Sequence, residues 1–473
     1  MRRTKIICTL GPSSSEPAMI RELAMAGMDV ARLNFSHGDH EFHAQLIARV
    51  RQVGRELGKE IPILQDLAGP KLRTGLLVNR QPVRLEPGQK VTLFCGDEPG
   101  DAQRLSTSID LSADVKPGDS VLLADGLLEL RVDATPTCEV VCTVLNGGLL
   151  GERKGINLPG ALVNVPALTD KDFADLDFGL DQGVDYVALS FVRSENDLHL
   201  LHERIRMWAS RHDGRGLDTP VIAKLEKPQA LDRLPEILQF VDAVMVARGD
   251  LGVEVPLERV PALQKHIIRS ARHARLPVIT ATQMLGSMTR QPRPTRAEAS
   301  DVANAVLDGS DALMLSEETA SGDHPIAAVR MMDRIISEAE KIEQPALPPA
   351  PSPDSIPDTI AGSVALAARN LPLSAIAIFT KTGATARLLS GYRPHCPVYA
   401  LAPSERTRAR LALYWGVQAM ALPEMNSTDD MLGRAEAVLI EKAGLRSGQT
   451  VAIVAGTPFG VAGRTNLMKI VRL

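Results

Sequence analysis

Two hydrophobic rhythms alternate along most of this chain. Short, nearly continuous apolar runs recur, each followed by a stretch in which apolar residues return every three or four positions. The runs are Thr4–Leu10, Asp29–Phe35, Ile61–Leu67, Asp185–Val192, Thr219–Leu225, Val241–Ala247, Leu276–Thr282 and Asp311–Ser316. Such runs read as strands covered on both faces, the pattern of a parallel sheet. Helical punctuation lies between them. In Ser13–Gly27, Ser13 and Glu16 fit a capping box, and Pro17 suits a first turn. Ile20, Leu23 and Ala24 share a face, and Gly27 fits a C-cap. Eight strand–helix units predict an α/β fold, a (β/α)8 TIM barrel rather than an open sheet.

The rhythm breaks once. From residue 71 to 162, short alternating runs such as KVTLFCG and SVLLADGLLELRV are separated by Pro-Gly, Asp-Gly and Gly-Gly turns. This predicts a small all-β cap domain inserted between a first barrel part, 1–70, and a second, 163–343. The ends of such an insert must meet, so the cap should hinge over the C-terminal rim. Residues 344–357, with six prolines, read as a semi-rigid linker. Strand–helix alternation resumes over 358–473 (SAIAIFT, PVYAL, VQAMAL, QTVAIVA), which predicts a C-terminal α/β domain with a mostly parallel sheet. The basic stretch Arg204–Asp218 reads as a solvated surface insertion.

Composition narrows the possibilities. The 473 residues suffice for about three domains. With 44% apolar and 23% charged residues, disorder and fibrous classes are excluded. A net charge of −4 gives no bulk attraction to nucleic acid or anionic membrane, and 3% aromatics argues against base-stacking platforms. No apolar run approaches the roughly 20 residues of a membrane span, and the start lacks a signal-like apolar core. Five scattered cysteines fit a reducing compartment, so a cytoplasmic location is expected.

In a barrel of this kind the chemistry stands at the C-terminal strand ends. There the sequence places Arg32, Asn34, Ser36 and His37, then Asp66, Ser190, Lys224 and Glu226, then Arg248–Gly252, Thr282, Ser316 and Glu318. Glu226 and Asp250 are the metal candidates, because Mg2+ takes one or two carboxylates and completes its shell with water and phosphate oxygens. A rim ion pair of Glu226 or Asp250 with Lys224 or Arg248 is the alternative. Lys224 lies two residues before Glu226, so both emerge on one face of their strand. Beside a metal, this lysine can stabilise an enolate or a transferring phosphoryl group, and Arg32 adds a second phosphate ligand. Gly249–Gly252 opens a short helix whose free N–H groups suit a carboxylate, or else is a plain turn. No Walker A or kinase-type glycine loop is present. His37, His40 and His43 have no partner cysteines and read as a polar helix start. The set points to a small phosphorylated acid.

These segments closely resemble the pyruvate kinase family. The match runs through TKIICTLGPSS, GMDVARLNFSHG, GPKLRTG, KGINLPG, AKLEK, ARGDLGVEVP, TATQMLGSM and PRPTRAEASDVANAVLDGSDALMLSEETASGDHP, in that family's order. The resemblance implies phosphoryl transfer from phosphoenolpyruvate to ADP, giving pyruvate and ATP, with Mg2+ (or Mn2+) on Glu226 and Asp250. It implies Lys224 on the phosphoryl group and enolate, and Arg32 on the phosphate. Thr282 with the Gly249–Asp250 backbone would hold the substrate carboxylate. Ser316 and Glu318 would serve enolate protonation through ordered water. Thr9, Pro12, Asn34, His37, Arg73 and Lys154 would line the ADP side. A homotetramer is also implied.

Three departures qualify the match. K+-requiring members typically carry Glu where Lys71 stands and Thr where Leu67 follows Asp66. The pairing here resembles the K+-independent branch, and an ammonium near Asn34, Ser36, Asp66 and Leu67 can supply the charge that K+ supplies elsewhere. K+ is therefore expected to be dispensable. Glu317 stands where Gly is common. Thr380, Lys381, Thr382, Gly383 and Thr385 match a loop that holds an effector phosphate in regulated members, but Ala384 lacks the basic side chain often found there. A sugar monophosphate or AMP is the expected effector, and an unregulated loop the alternative. Two further readings stay open on sequence alone: a Mg2+-dependent aldolase acting on pyruvate or phosphoenolpyruvate, and a catalytically silent metabolite sensor.

Overall fold

The computed structural model describes residues 2–161, 165–342, 352, 354–422, 428–457 and 464–473. Eight parallel strands close into a barrel in sequential order: Lys5–Leu10, Val30–Asn34, Ile63–Asp66, Tyr186–Leu189, Val221–Leu225, Ala243–Ala247, Val278–Ala281 and Ala312–Leu315. Each falls within one of the eight apolar runs. Burial on both faces explains their unbroken apolar character: Ile6, Cys8 and Ala31 face the helical shell, while Ile7, Val30, Leu64, Ile222 and Met314 fill the interior. The alternation continues upward. Thr9, Arg32, Asp66, Ser190 and Lys224 each stand two residues beyond an inward apolar one, so the pleat that packs the core also aims these groups into the barrel mouth.

Between the third and fourth barrel strands the chain builds a six-stranded sheet and a two-stranded one around their own apolar cluster, including Val91, Leu93, Val121, Leu130 and Cys142. Beyond the barrel lies a five-stranded sheet flanked by helices. Its four foreseen strands are parallel. A fifth, Leu467–Arg472, pairs antiparallel at the edge and was not foreseen, because LMKIVR interleaves cations with apolar residues as a half-exposed edge strand does. Of the Pro-rich segment, residues 344–351 and 353 lie outside the described residues. The helix Ile356–Asn370 opens with Pro357 in its first turn and Ser355 accepting a hydrogen bond from the Asp358 N–H.

Two local expectations are corrected. The Ser13/Glu16 capping box does not form. The helix runs Pro17–Ala26, and Glu16, its N-cap, is extended at φ −78°, ψ 142°. Glu16 as the third helical residue would need α backbone, which the pyrrolidine of Pro17 disfavours in the residue before it. Ser13 sits instead in a tight turn, Pro12–Ser14. The Arg204–Asp218 segment is not a solvated insertion either. Its first half completes the helix Glu195–Ser210 and buries Ile205, Trp208 and Ala209. Its end docks on the C-terminal domain, where Asp218 pairs with Arg406 at 3.0 Å and Arg410 at 2.8 Å. Apolar residues at helical spacing carry this burial beneath the arginines.

Candidate active site

The inward row at the barrel mouth forms a connected charge cluster. Lys224 Nζ donates to Ser190 Oγ at 2.7 Å and lies 3.0 Å from Glu226 Oε1 and 3.2 Å from Asp66 Oδ1. Arg32 Nε donates to Asp66 Oδ2 at 2.7 Å, and its Nη1 donates to Thr9 Oγ1 at 2.8 Å. Asp66 therefore bridges two cations. Burial pushes its carboxyl up, but the Lys224 and Arg32 charges outweigh burial and hold it below the ordinary range. Burial likewise opposes the Lys224 charge, and Asp66 and Glu226 override it, so the ammonium is held above its usual value. Glu226 behaves differently. Burial raises it, Lys224 pulls it down, and the neighbouring Asp250 charge raises it again, leaving it above normal.

That repulsion bears on the metal. Among the described residues, no group of three or more His, Cys, Asp or Glu side chains is arranged to hold an ion by itself. Two carboxylates with only oxygen donors remain, Glu226 and Asp250, and their proximity raises Glu226 by like charge. A hard divalent cation that keeps water and substrate ligands fits this pair and relieves its repulsion.

Three residues around the mouth hold left-handed backbone that bulky side chains avoid: Phe191 at φ 55°, Thr282 at 69° and Gln283 at 54°. The Phe191 N–H donates to Glu226 Oε2 at 2.8 Å, which fixes that carboxylate. Thr282 Oγ1 accepts the Gly249 N–H at 2.7 Å and donates to Ala281 O at 2.6 Å. A Cβ at Gly249 would lie 3.3 Å from Thr282 Oγ1, so glycine permits this close approach. Gly249 and Asp250 stand in the first turn of the helix Arg248–Glu254, as the glycine spacing indicates. The Gly249 N–H already has a partner, so a carboxylate bound there shares or displaces Thr282.

Between mouth and cap lies a cleft of about 460 Å³, lined by His37, Lys71, Arg73, Lys154, Asp250 and Glu317 among others. Cations dominate the wall. Burial, then Lys71, Arg73 and Arg32, push His37 below its ordinary value, so its ring tends to neutrality. Lys71 faces the cleft and makes no side-chain hydrogen bond among the described residues. Burial and the Lys224 charge lower its affinity for a proton, while Asp250, Glu226 and Asp66 counter them. It shares a second cavity wall with Ser36.

Other candidates stand back from the cleft. Thr9 is buried beneath Arg32 and donates to Leu315 O. Asn34 Oδ1 accepts the Ser36 N–H and shapes the loop before His37. Pro12 is exposed in its turn and does not line the cleft. Glu318 is buried and raised chiefly by burial, with Oε1 accepting the Leu285 N–H at 3.1 Å and Oε2 the Ser316 N–H at 2.7 Å. It braces the loops after strands seven and eight. Ser316 Oγ has no hydrogen-bond partner among the described residues. His43, by contrast, stacks on Phe35 with ring centroids 4.0 Å apart, behind the site.

The Thr380–Thr385 loop is separate, at a strand end of the C-terminal domain. Thr380 Oγ1 accepts the Gly383 N–H at 2.9 Å, and Thr385 Oγ1 meets Thr465 Oγ1 at 2.7 Å. Thr382 and Lys381 are exposed. Sequence reasoning missed Phe191, Asp125 and Lys227 in or beside the cleft. No residue-type pattern announces a left-handed phenylalanine whose contribution is its backbone N–H.

The family model for the pyruvate kinase barrel domain matches residues 1–329, and that for the pyruvate kinase alpha/beta domain matches residues 358–471. The chain is 47% identical to a pyruvate kinase from Mycobacterium tuberculosis (strain ATCC 25618 / H37Rv) over 477 residues, covering 100% of this chain and 98% of that protein. It is 42% identical to a pyruvate kinase from Clostridium perfringens, covering 100% of both chains. The crystal structure of a pyruvate kinase from Cryptosporidium parvum superposes with a TM-score of 0.94 at 38% identity, covering 100% of this chain and 96% of that one. Among the described residues, no helix is long and apolar enough to cross a membrane.

Proposed function

The chain belongs to the pyruvate kinase family and is a phosphotransferase, and from that premise we propose that it moves the phosphoryl group of phosphoenolpyruvate to ADP in a Mg2+-dependent (or Mn2+-dependent), K+-independent reaction. One observation carries the reading: an ammonium, Lys224, kept charged between Asp66 and Glu226 and flanked by Arg32 at the mouth of a cationic cleft. Phosphoryl transfer needs positioned positive charge more than covalent help.

Arg32 and Lys224 hold the phosphoryl oxygens. Thr282 and the Gly249–Asp250 backbone orient the substrate carboxylate. His37, Arg73 and Lys154 define the ADP side, Lys154 and Arg73 reaching in from the cap, while Thr9 supports Arg32 and Asn34 shapes the loop before His37. Glu226 and Asp250 hold the divalent ion, which neutralises phosphate charge when bound. A terminal ADP oxygen bonds to phosphorus as the bond to the enol oxygen breaks. Lys224 stabilises the enolate left behind, and its methylene carbon takes a proton from water ordered by Ser316, which Glu318 braces. The cap excludes bulk water that would otherwise intercept the phosphoryl group.

Lys71 replaces K+. Its side chain makes no hydrogen bond among the described residues, and its charge reaches Asp66, Glu226 and Asp250. The assembly is a cytoplasmic homotetramer, and the Thr380–Thr385 loop takes the phosphate of AMP or a sugar monophosphate. The test is pyruvate release from phosphoenolpyruvate, ADP and Mg2+ in buffer stripped of monovalent activators. Full turnover without K+ is expected, and Lys71→Glu should need added K+. Turnover of the parent enzyme only with K+ overturns the role of Lys71, and no turnover in either buffer overturns the reaction.

A further inference from the structure

Among the contacts between cap and barrel in the described residues is one buried carboxylate that the reaction does not use. Glu254, the last residue of the helix Arg248–Glu254, is 5% exposed. Its Oε1 accepts two hydrogen bonds, from Asn157 Nδ2 of the cap at 3.0 Å and from Lys227 Nζ of the barrel at 2.6 Å. Beside it, Gly126 of the cap packs on Val253, a Cβ there lying 3.7 Å from Val253 Cγ1. Among the described residues a second side-chain bridge from barrel to cap is longer: Gln229 Nε2 donates to Ala161 O at 3.4 Å.

The position of this contact gives it meaning. Lys227 follows Glu226 directly, and its ammonium lies 5.8 Å from the centre of the Phe191 ring, the residue whose N–H fixes Glu226. The same short helix carries Gly249 and Asp250 in its first turn. Asn157 lies three residues after Lys154, which lines the cleft. One carboxylate therefore touches the cap beside its cleft lysine, the segment after one proposed metal ligand, and the helix carrying the other.

We propose that Glu254 is a positioning residue that latches the cap closed and ties closure to the placement of Glu226 and Asp250. With the cap down, its charge is shared between Asn157 and Lys227. With the cap lifted, Asn157 departs and the Lys227 ion pair remains, so the buried charge is never abandoned. A latch made of one charge-assisted hydrogen bond biases closure without preventing the opening that product release requires. The assignment of a catalytic consequence rests on the pyruvate kinase reading above; the latch itself does not.

Two variants of the full-length protein separate these claims. Asn157→Leu removes the donor at similar size, and Asn157→Asp sets a carboxylate against Glu254. Amide hydrogen exchange at the cap hinges, residues 69–74 and 165–169, should accelerate about tenfold in Asn157→Leu and more in Asn157→Asp, with an unchanged melting temperature. The KM for ADP should rise about tenfold while kcat falls less. In Glu254→Met, which has no acceptor for Asn157, adding Asn157→Leu should bring little further change, because the two act through one bond. Unchanged hinge exchange in both Asn157 variants overturns the latch, whatever the kinetics. Faster exchange with an unaltered KM for ADP overturns its link to catalysis. A parent enzyme that forms no pyruvate overturns the reaction assigned above and leaves the exchange result to decide the latch.

Discussion

At the C-terminal rim of the barrel, Arg32 and Lys224 lie 2.7 Å and 3.2 Å from the two carboxylate oxygens of Asp66. At the opposite end, Arg393 of the C-terminal domain and Asp311 of the barrel lie 2.9 Å apart. Both groups are buried and both pair opposite charges. In the rim cluster attraction outweighs burial, so Asp66 is held below its usual range and Lys224 above its own. At the floor burial outweighs attraction, so Asp311 is raised and Arg393 is lowered to about 10. The difference lies in the number of opposite charges in direct contact, since the Arg272 charge reaches Asp311 only from beyond ion-pair distance. Asp66 serves two cations at once, and Lys224 faces two carboxylates and a hydroxyl. Arg393 meets one carboxylate, with a carbonyl and the Trp415 ring completing its surroundings. The rim is a preorganised charged site, and the floor is an apolar seam that tolerates a pair.

The seam is apolar because the C-terminal domain plugs it. Leu413, 1% exposed, joins the inner barrel cluster of Ile7, Val30, Leu64 and Met245, and Tyr414 packs on that cluster and on the core of its own domain. Mutations should therefore separate activity from stability by position. The largest effect is expected from Lys224→Met. Loss of one preorganised cation at the reacting group should lower kcat by about 10³, close to 4 kcal/mol, with the circular dichroism spectrum retained. Turnover within tenfold of the parent would dissolve the distinction between the two ends. Next is Leu413→Ala, which should cost about 2–5 kcal/mol of stability by urea unfolding while leaving kcat near the parental value. An equal loss of kcat would mean that the plug also sets the geometry of the rim.

The two ends were unequally legible in the sequence. The eight strands were readable because burial on both faces demands unbroken apolar runs, and Arg32, Lys224 and Glu226 were readable because polar residues end those runs. The bridging role of Asp66 was not, since a single rim aspartate carries no sign of how many cations converge on it. Thr282 was readable as a rim residue, whereas its left-handed backbone was not. The floor was nearly invisible. Leu413 and Tyr414 sit in LALYWGV, a segment with no motif, and their insertion into the barrel depends on the docking of two domains far apart in sequence. The Arg204–Asp218 stretch shows the same limit, because its basic side chains concealed the buried Ile205 and Trp208 and the docking partner of Asp218.

The smallest effect sharpens the comparison most. If burial outweighs attraction at the floor, the Arg393–Asp311 pair adds little to stability. Replacing both partners, Asp311→Asn with Arg393→Met, should leave stability unchanged or raise it by about 1–4 kcal/mol, as for other buried pairs exchanged for apolar groups. The asparagine oxygen can still accept the Val278 N–H that Asp311 now accepts at 2.8 Å. Arg393→Met alone should instead destabilise by about 3–5 kcal/mol at neutral pH, because it removes the direct cation and leaves the buried carboxylate with only the more distant Arg272 charge. The pH dependence follows in sign. Asp311 is raised in the folded state, so the folded protein takes up its proton at a higher pH than the unfolded chain does. Its penalty is therefore full above that raised value and fades as the pH falls toward the ordinary aspartate range. The loss in Arg393→Met should accordingly shrink between pH 7 and about pH 4, while the double variant shows no such relief. A double variant as unstable as the single one would mean that the floor pair is net stabilising, and that both ends of the barrel hold their charges on the same terms.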